Sequence, residues 1–141
     1  MMESTRKGYW GEERVLRLLR RRGWQLVSQR WSCRYGELDL VLEKQQRLLV
    51  VEVKSRRCRG LDQWGLRAFN KRKQLRMMRA IGCWQATHPC FAKHSLELVL
   101  ALVPLPPSCK KLYWIRVNDL DIDAAEENNS MDQKGCVDFL A

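Results

Sequence analysis

The stretch GELDLVLEKQQRLLVVEVK, Gly36–Lys54, decides the fold of this chain. Side chains alternate in polarity through both halves, which is the pattern of two antiparallel strands joined by a tight turn at Gln45-Gln46. With this turn, facing residue numbers sum to 91, and Asp39 lies opposite Glu52. A slip of one residue would mix the acidic and apolar faces, so the pattern fixes the register. The other face is predicted to be wholly apolar, with Leu38, Leu40, Leu42, Leu49, Val51 and Val53.

The predicted register places like charges opposite each other, and Glu37 opposite Lys54. Directly opposed Cβ atoms are about 5 Å apart, and two carboxylates at this distance destabilise a sheet unless a cation lies between them. Carboxylate oxygens are the ligands that a hard divalent cation such as Mg²⁺ prefers. Lys54 shares a face with Glu52, where it could stabilise a developing negative charge or orient an attacking water. The alternative is structural: Lys54 forms an ion pair with Glu37 or Glu52, and Asp39 is solvated.

A helix and a strand are predicted before the hairpin. In residues 8–22 the apolar side chains follow helical spacing, arginines cover the opposite side, and Gly23 is placed to end the helix. We expect Glu12 at the edge of the buried stripe of this helix. A strand over residues 24–31 then leads into the hairpin.

A second helix and two further strands are predicted after the hairpin. Asn70 can cap a helix over residues 70–86. We expect the inward-facing side chains of this helix to be Leu75, Met78, Ile81 and Trp84. Strands are predicted at residues 95–103 and 112–117. The order of helix, three strands, helix and two strands predicts an α/β domain with a central mixed β-sheet flanked by α-helices.

The charge of the chain changes sharply along its length. Residues 1–117 carry 25 Lys and Arg against 9 Asp and Glu, whereas residues 118–141 carry one Lys against seven Asp and Glu. We interpret residues 1–117 as one domain and residues 118–141 as a flexible acidic tail. A domain this basic suits a polyanion, and nucleic acid is the commonest one. No apolar run is long enough for a membrane span and no signal peptide is recognisable, which predicts a cytoplasmic protein without a membrane partner.

The two acids and the lysine of the hairpin resemble a known nuclease signature. Asp39, followed by Glu52-Val53-Lys54 on a paired strand, is similar to the PD-(D/E)XK pattern. A longer set resembles the YraN family of small bacterial proteins over about residues 8–100, and consists of Gly11-Glu12, GELDL at 36–40, VEVKSR at 51–56 and a basic second helix through Lys73. Where that family usually has an Arg-Phe-Asp-Val strand, residues 95–98 read SLEL, which keeps an acid as Glu97 but not the arginine.

This resemblance implies a restriction-endonuclease-like fold with the site at the edge of the sheet. It assigns metal binding to Asp39, Glu52 and the main-chain carbonyl of Val53, adds Glu12 as a further catalytic acid, and makes Lys54 the catalytic lysine. The implied activity is Mg²⁺- or Mn²⁺-dependent phosphodiester hydrolysis by a DNA endonuclease that recognises structure more than sequence. Distantly similar archaeal Holliday-junction resolvases cut branched DNA as dimers, so a homodimer is one expected state.

Basic residues beside the two acids are predicted to contact phosphates of the nucleic acid. They are Arg56, Arg57, Arg59, Lys71, Arg72, Lys73 and Arg76. Two other functions fit the same charges: a non-catalytic nucleic-acid-binding protein, and an interaction module whose acidic tail covers the basic face until DNA displaces it. The facing acids favour the enzyme, because a protein that only binds a polyphosphate has no need of them.

Overall fold

The computed structural model describes residues 2–57, 69–108 and 110–117, and residues 2–7 by their backbone alone. Its elements are α1 (Met2–Arg21), β1 (Gln25–Cys33), β2 (Gly36–Lys44), β3 (Arg47–Arg56), α2 (Lys71–Thr87), a 3₁₀ turn (Pro89–Phe91), β4 (Ser95–Pro104) and β5 (Tyr113–Arg116). The predicted order of helices and strands is confirmed. The predicted acidic tail, residues 118–141, lies outside the described residues.

The five strands form one sheet in the order β1-β2-β3-β4-β5. β3 and β4 run parallel, and the other neighbours are antiparallel. The two helices cover opposite faces of this sheet: Val15 and Leu19 of α1 are buried against one face, and Ile81 and Trp84 of α2 against the other. The predicted α/β class, with a mixed sheet flanked by helices, is therefore confirmed. None of the described helices is long and apolar enough to span a membrane.

The β2–β3 hairpin has the register that its alternating pattern predicts near the turn, whereas the predicted pairs Asp39–Glu52 and Glu37–Lys54 lie beyond the paired part of the strands. Val41 pairs with Val50, and the ladder runs from the turn to the pair Leu40–Val51. Gln45 and Gln46 have φ angles of 49° and 61°. Left-handed conformation at both central residues is the property of a type I′ turn, whose twist matches that of the flanking strands.

The prediction that Leu38 shares the apolar face of Leu40 is wrong. Leu40 is buried under α1, whereas Leu38 is buried under α2. Gln29 pairs with Leu40 and Trp31 with Leu38, so both strands change face between these pairs. Arg30 lies at this point of β1 with a left-handed φ of 47°. A left-handed residue interrupts the alternation of a strand, although the register is the same on both sides of Arg30 and the β-bulge of this strand pair lies between Leu26 and Ser28.

The N-terminus of α2 is capped as predicted, but two of its side chains do not face inward. Asn70 Oδ1 accepts a hydrogen bond from the Lys73 N–H at 3.0 Å. Trp84 is fully buried, whereas Leu75 and Met78 are 57% and 53% exposed, so their predicted inward orientation is wrong. At about 100° per residue, Leu75 lies half a turn around the helix from Trp84. The buried stripe is Met77, Ala80, Ile81 and Trp84.

Candidate active site

The candidate acids lie where the hairpin ladder ends. In a regular continuation of this ladder, Val53 would exchange main-chain hydrogen bonds with Leu38. Its N–H donates instead to Oδ2 of Asp39, at 2.8 Å. The carboxylate of Asp39 thus replaces a main-chain acceptor, which holds it against β3 beside Glu52.

The charge of Glu52 opposes the ionisation of Asp39. Glu52 is only 3% exposed. Burial, and next the charge of Glu52, raise the pKa of Asp39 to about 8, although the bond from the Val53 N–H lowers it. Without a cation between the two carboxylates, burial and the neighbouring charge therefore favour the protonated form of Asp39.

The two oxygens of Glu52 have different surroundings. Oε1 lies 3.4 Å from Nζ of Lys54 and 3.7 Å from Nζ of Lys73. Oε2 is buried, and among the described residues it has no hydrogen-bond partner. The alternative of a purely structural ion pair predicted that Lys54 pairs with Glu37 or Glu52 and that Asp39 is solvated. Its first half agrees with the structure, since Lys54 does pair with Glu52. Its second half does not agree, because Asp39 accepts a hydrogen bond from the main chain of β3 and is partly buried.

A third acid approaches from α1. Glu12 is 7% exposed, and its Oε2 accepts a hydrogen bond from Nε of Arg30 at 2.9 Å. Burial raises the pKa of Glu12 in spite of the nearby Arg30 charge. The charge of Glu12 also contributes to the raised pKa of Asp39. The structure therefore brings Glu12, predicted at the edge of the buried stripe of α1, to the same end of the sheet as the two hairpin acids.

Arg30 is a residue of this site that the sequence analysis missed. Its guanidinium stacks on the ring of Tyr9, 4.0 Å from the ring centroid, while its Nε holds Glu12. Positive φ is uncommon for an arginine and concentrates at functional sites. No residue pattern in β1 indicates this conformation, so no signal in the sequence could have identified Arg30.

The predicted phosphate-binding residues are distributed around the site. Lys73 reaches Glu52, whereas Lys71 and Arg72 are exposed on α2. Arg56 is partly buried at the end of β3, where its Nη1 donates to the carbonyl of Ser55 at 2.9 Å. The remaining ones differ: Arg57 and Arg76 are exposed, and Arg59 lies outside the described residues.

A family model described as "Uncharacterised protein family UPF0102" matches residues 11–101, which contain all four predicted catalytic residues. The chain belongs to the UPF0102 family. Since UPF0102 is the YraN family of nuclease-like proteins, the resemblance found in the sequence is confirmed. The match includes α1 from Gly11 onwards, β1 to β3 and α2, and thus the part of each element that supplies a predicted catalytic side chain.

UPF0102 proteins of several bacteria align with most of this chain. A UPF0102 protein of Prochlorococcus marinus (strain MIT 9303) is 86% identical over 126 residues, which is 89% of this chain and 100% of the relative. One of Synechococcus sp. (strain CC9902) is 47% identical over 85% of this chain and 99% of its own length. One of Stutzerimonas stutzeri (strain A1501) is 35% identical over 82% of this chain and 96% of its own length. These relatives establish the family and name no reaction.

The UPF0102 acids have the chemistry that a divalent metal ion requires. Among the described residues, no three His, Cys, Asp or Glu side chains form a metal-binding group. The candidate ligand set is therefore two carboxylates, of Asp39 and Glu52, with the main-chain carbonyl of Val53. The unpartnered Oε2 of Glu52 and the raised pKa of Asp39 are both effects that a cation between the carboxylates would relieve. This donor set fits Mg²⁺ or Mn²⁺.

A close approach of α1 to β3 brings Glu12 to the site in this UPF0102 protein. Gly11 is buried, and a Cβ at this position would collide with Oγ of Ser55 and lie 3.3 Å from its Cβ. Oγ of Ser55 is itself buried without a hydrogen-bond partner among the described residues. The contact therefore requires the absence of a side chain at Gly11, one residue before Glu12.

We predict that Gly11→Ala lowers the free energy of unfolding by about 1 kcal/mol. Overpacking costs about 1–3 kcal/mol, and the better helix propensity of alanine offsets about 1 kcal/mol of this. In a Ser55→Gly background the collision is absent, so the same substitution should be neutral or stabilising. Urea denaturation of the four proteins gives the coupling free energy. An equal effect of Gly11→Ala in both backgrounds would contradict the close contact.

Proposed function

We propose that this UPF0102 protein is a metal-dependent nuclease that hydrolyses phosphodiester bonds, and that it is a DNA endonuclease selective for structure more than for sequence. One observation carries the proposal: the carboxylates of Asp39 and Glu52 lie together at the end of a strand ladder, where the first accepts the Val53 N–H at 2.8 Å and the second has an ammonium group 3.4 Å away. Perturbed carboxylates of this kind are concentrated at catalytic sites.

The residues of the site have separate roles in this proposal. Asp39, Glu52 and the carbonyl of Val53 hold the cation. When bound, Mg²⁺ lowers the pKa of a water and stabilises charge on the leaving oxygen. The ammonium of Lys54 faces the phosphate and stabilises the negative charge that develops on its oxygens. Glu12, oriented by Arg30, accepts a hydrogen bond from the attacking water.

The proposed reaction consumes one water and one phosphodiester. The water oxygen forms a bond to phosphorus, the bond from phosphorus to the leaving oxygen breaks, and the leaving oxygen takes up a proton. The products are a phosphomonoester and a hydroxyl end. The basic residues around the site attract the phosphate backbone, which carries no sequence information. Recognition of nucleic acid shape follows from such contacts.

A non-catalytic nucleic-acid-binding function is the second candidate, and one observation favours it. Lys54 and Lys73 both approach Oε1 of Glu52, so this buried carboxylate is partly compensated without a metal. In this case the acids and lysines would serve only as a structural cluster below a phosphate-binding surface.

A cleavage assay separates the two functions. The purified protein is incubated with supercoiled plasmid, linear duplex, branched DNA and RNA, each with Mg²⁺, Mn²⁺ or EDTA. We expect cutting that depends on the metal and is fastest on branched DNA. Asp39→Ala, Glu52→Ala and Lys54→Ala, purified in the same way, control for contaminating nucleases, and each should lose at least about 100-fold in rate.

Two results decide against the nuclease. Cutting that persists in all three variants would come from a contaminant. Binding of DNA without metal-dependent cutting of any substrate would support the non-catalytic function. A homodimer, which the resemblance to resolvases implies, is tested separately by sedimentation of the protein with and without branched DNA.

A further inference from the structure

A small cavity lies beside the acids, between the start of β2 and α2. Its volume is about 70 Å³. The walls are formed by Tyr35 and Glu37 on one side and by Lys73 and Arg76 on the other, above the buried side chains of Met77 and Ala80. One water molecule needs about 10–15 Å³ of such space, so the cavity has room for a group of phosphate size.

The polar groups around this cavity suit an anion. Among the described residues Arg76 makes no ion pair or hydrogen bond, and it lines the cavity together with Lys73. The hydroxyl of Tyr35 accepts a hydrogen bond from Nη2 of Arg34 at 2.6 Å, which leaves its own proton available for donation. Guanidinium groups of Arg34 and Arg79 also flank the Tyr35 ring, at 4.7 and 5.8 Å. Glu37 is the one acid among the described residues of the cavity wall.

Lys73 connects the cavity to the candidate active site. The same side chain lines the cavity and places its Nζ 3.7 Å from Oε1 of Glu52. An anion in the cavity therefore lies one side chain away from the acids. A nucleic acid strand whose scissile phosphate is at the acids would have a neighbouring phosphate within reach of Lys73 and Arg76.

We propose that this cavity binds the internal backbone phosphate next to the scissile one. Lys73 and Arg76 are its cationic ligands, and the Tyr35 hydroxyl donates a hydrogen bond to it. The position of this phosphate next to the cleaved one rests on the proposed function. The contact between the cavity and a backbone phosphate does not require cleavage. The inference assigns a role to Tyr35, which neither the nuclease signature nor the charge pattern indicates.

The test compares two arginines of α2 that carry the same charge. Arg76→Gln removes a cation from the cavity wall, and Arg72→Gln removes an exposed one from the same helix outside the cavity. Binding of a branched DNA without 5′ or 3′ terminal phosphates is measured by fluorescence anisotropy. EDTA is present to prevent metal-dependent cleavage. We expect Arg76→Gln to weaken binding about tenfold and to reduce the slope of log K against log salt by about 1. Arg72→Gln, which removes a predicted phosphate contact outside the cavity, should weaken binding by a smaller factor than Arg76→Gln.

Tyr35→Phe gives a readout that does not change the charge. We expect about threefold weaker binding with an unaltered salt slope, because only a neutral donor is lost. A single methylphosphonate placed along the strand locates the contact: at one position it should weaken binding to the wild type and have no further effect on Arg76→Gln. Thermal unfolding of each variant checks that it is folded.

Several results would overturn this inference without affecting the proposed function. Equal losses for Arg72→Gln and Arg76→Gln would indicate general electrostatic attraction. A sensitivity to Arg76→Gln that arises only when a 5′ or 3′ phosphate is added would assign the cavity to strand ends. Conversely, absence of cleavage on every substrate, with the expected differences in binding, would reject the nuclease and retain the phosphate site.

Discussion

Asp39→Asn is expected to make the metal-free protein more stable at pH 8 while it abolishes metal-dependent cleavage. The pKa of Asp39 is raised from 3.8 to about 8, mainly by burial and by the charge of Glu52. Between these two values the carboxyl group is protonated in the folded state and ionised in the unfolded state. The folded state then binds more protons, so the free energy of unfolding falls as the pH rises from about 4 to about 8, and levels off above that.

The size of this effect follows from the shift in pKa. Each unit is worth about 1.4 kcal/mol, so the loss of stability across the window amounts to several kcal/mol. Asparagine carries no charge at any of these pH values, and its side-chain oxygen can still accept the hydrogen bond from the Val53 N–H. The variant should therefore keep the local structure and lose the pH-dependent penalty.

Urea denaturation in EDTA at pH 5 and pH 8 measures the free energy of unfolding of the wild type and of Asp39→Asn. The wild type should lose several kcal/mol more than Asp39→Asn between these pH values. Glu13→Gln, which removes an exposed acid of α1, is the matched control and should follow the wild type. Parallel changes for the wild type and Asp39→Asn would contradict the raised pKa.

A bound metal ion should reverse the difference in stability between the wild type and Asp39→Asn. At pH 8, added Mg²⁺ should stabilise the wild type, because a ligand that binds only the folded state raises the free energy of unfolding by mass action. Asp39→Asn should gain much less, since it lacks one of the two anionic ligands. A variant that is more stable without metal, less stabilised by metal and inactive would identify the two neighbouring acids as a functional feature.

The hairpin could be predicted from sequence because two independent signals agree on it. The period-two pattern permits one register only, and Gln45-Gln46 is placed where a two-residue turn is required. The ladder from Leu40–Val51 to the turn follows this register. At Asp39 the prediction of the faces failed, since a left-handed residue in the neighbouring strand reverses the alternation, and nothing in the sequence of β1 indicates it.

The position of the acids was easier to predict than their surroundings. Long-range contacts decide the surroundings, as for Glu12, which is held by an arginine 18 positions away in the chain. The rotation of α2 is a similar case. Leu75 and Met78 are as apolar as the buried Met77, so composition does not distinguish the two stripes, and packing of Trp84 against the sheet selects one of them.

Lys54→Met is expected to lower the single-turnover rate of cleavage by about 100- to 1,000-fold, with little change in DNA binding. The side chain projects from a central strand, paired on one side with β4, and is 22% exposed. A charge fixed by the sheet in this way needs no reorganisation when negative charge develops on the phosphate. This preorganisation is the physical reason for a large effect on rate.

Lys73→Met provides the matched comparison, because both lysines approach the same oxygen of Glu52. The Nζ distances are 3.4 Å for Lys54 and 3.7 Å for Lys73. If ion pairing with Glu52 were the only role of either residue, the two variants would lose similar activity. We expect Lys73→Met instead to raise KM several-fold and to change kcat by less than about threefold, since its contact with the substrate is equally strong before and during the reaction. Equal losses in kcat for the two variants would mean that both lysines act only as counterions of a buried carboxylate. An unchanged kcat for Lys54→Met would show that Lys54 is not a catalytic residue.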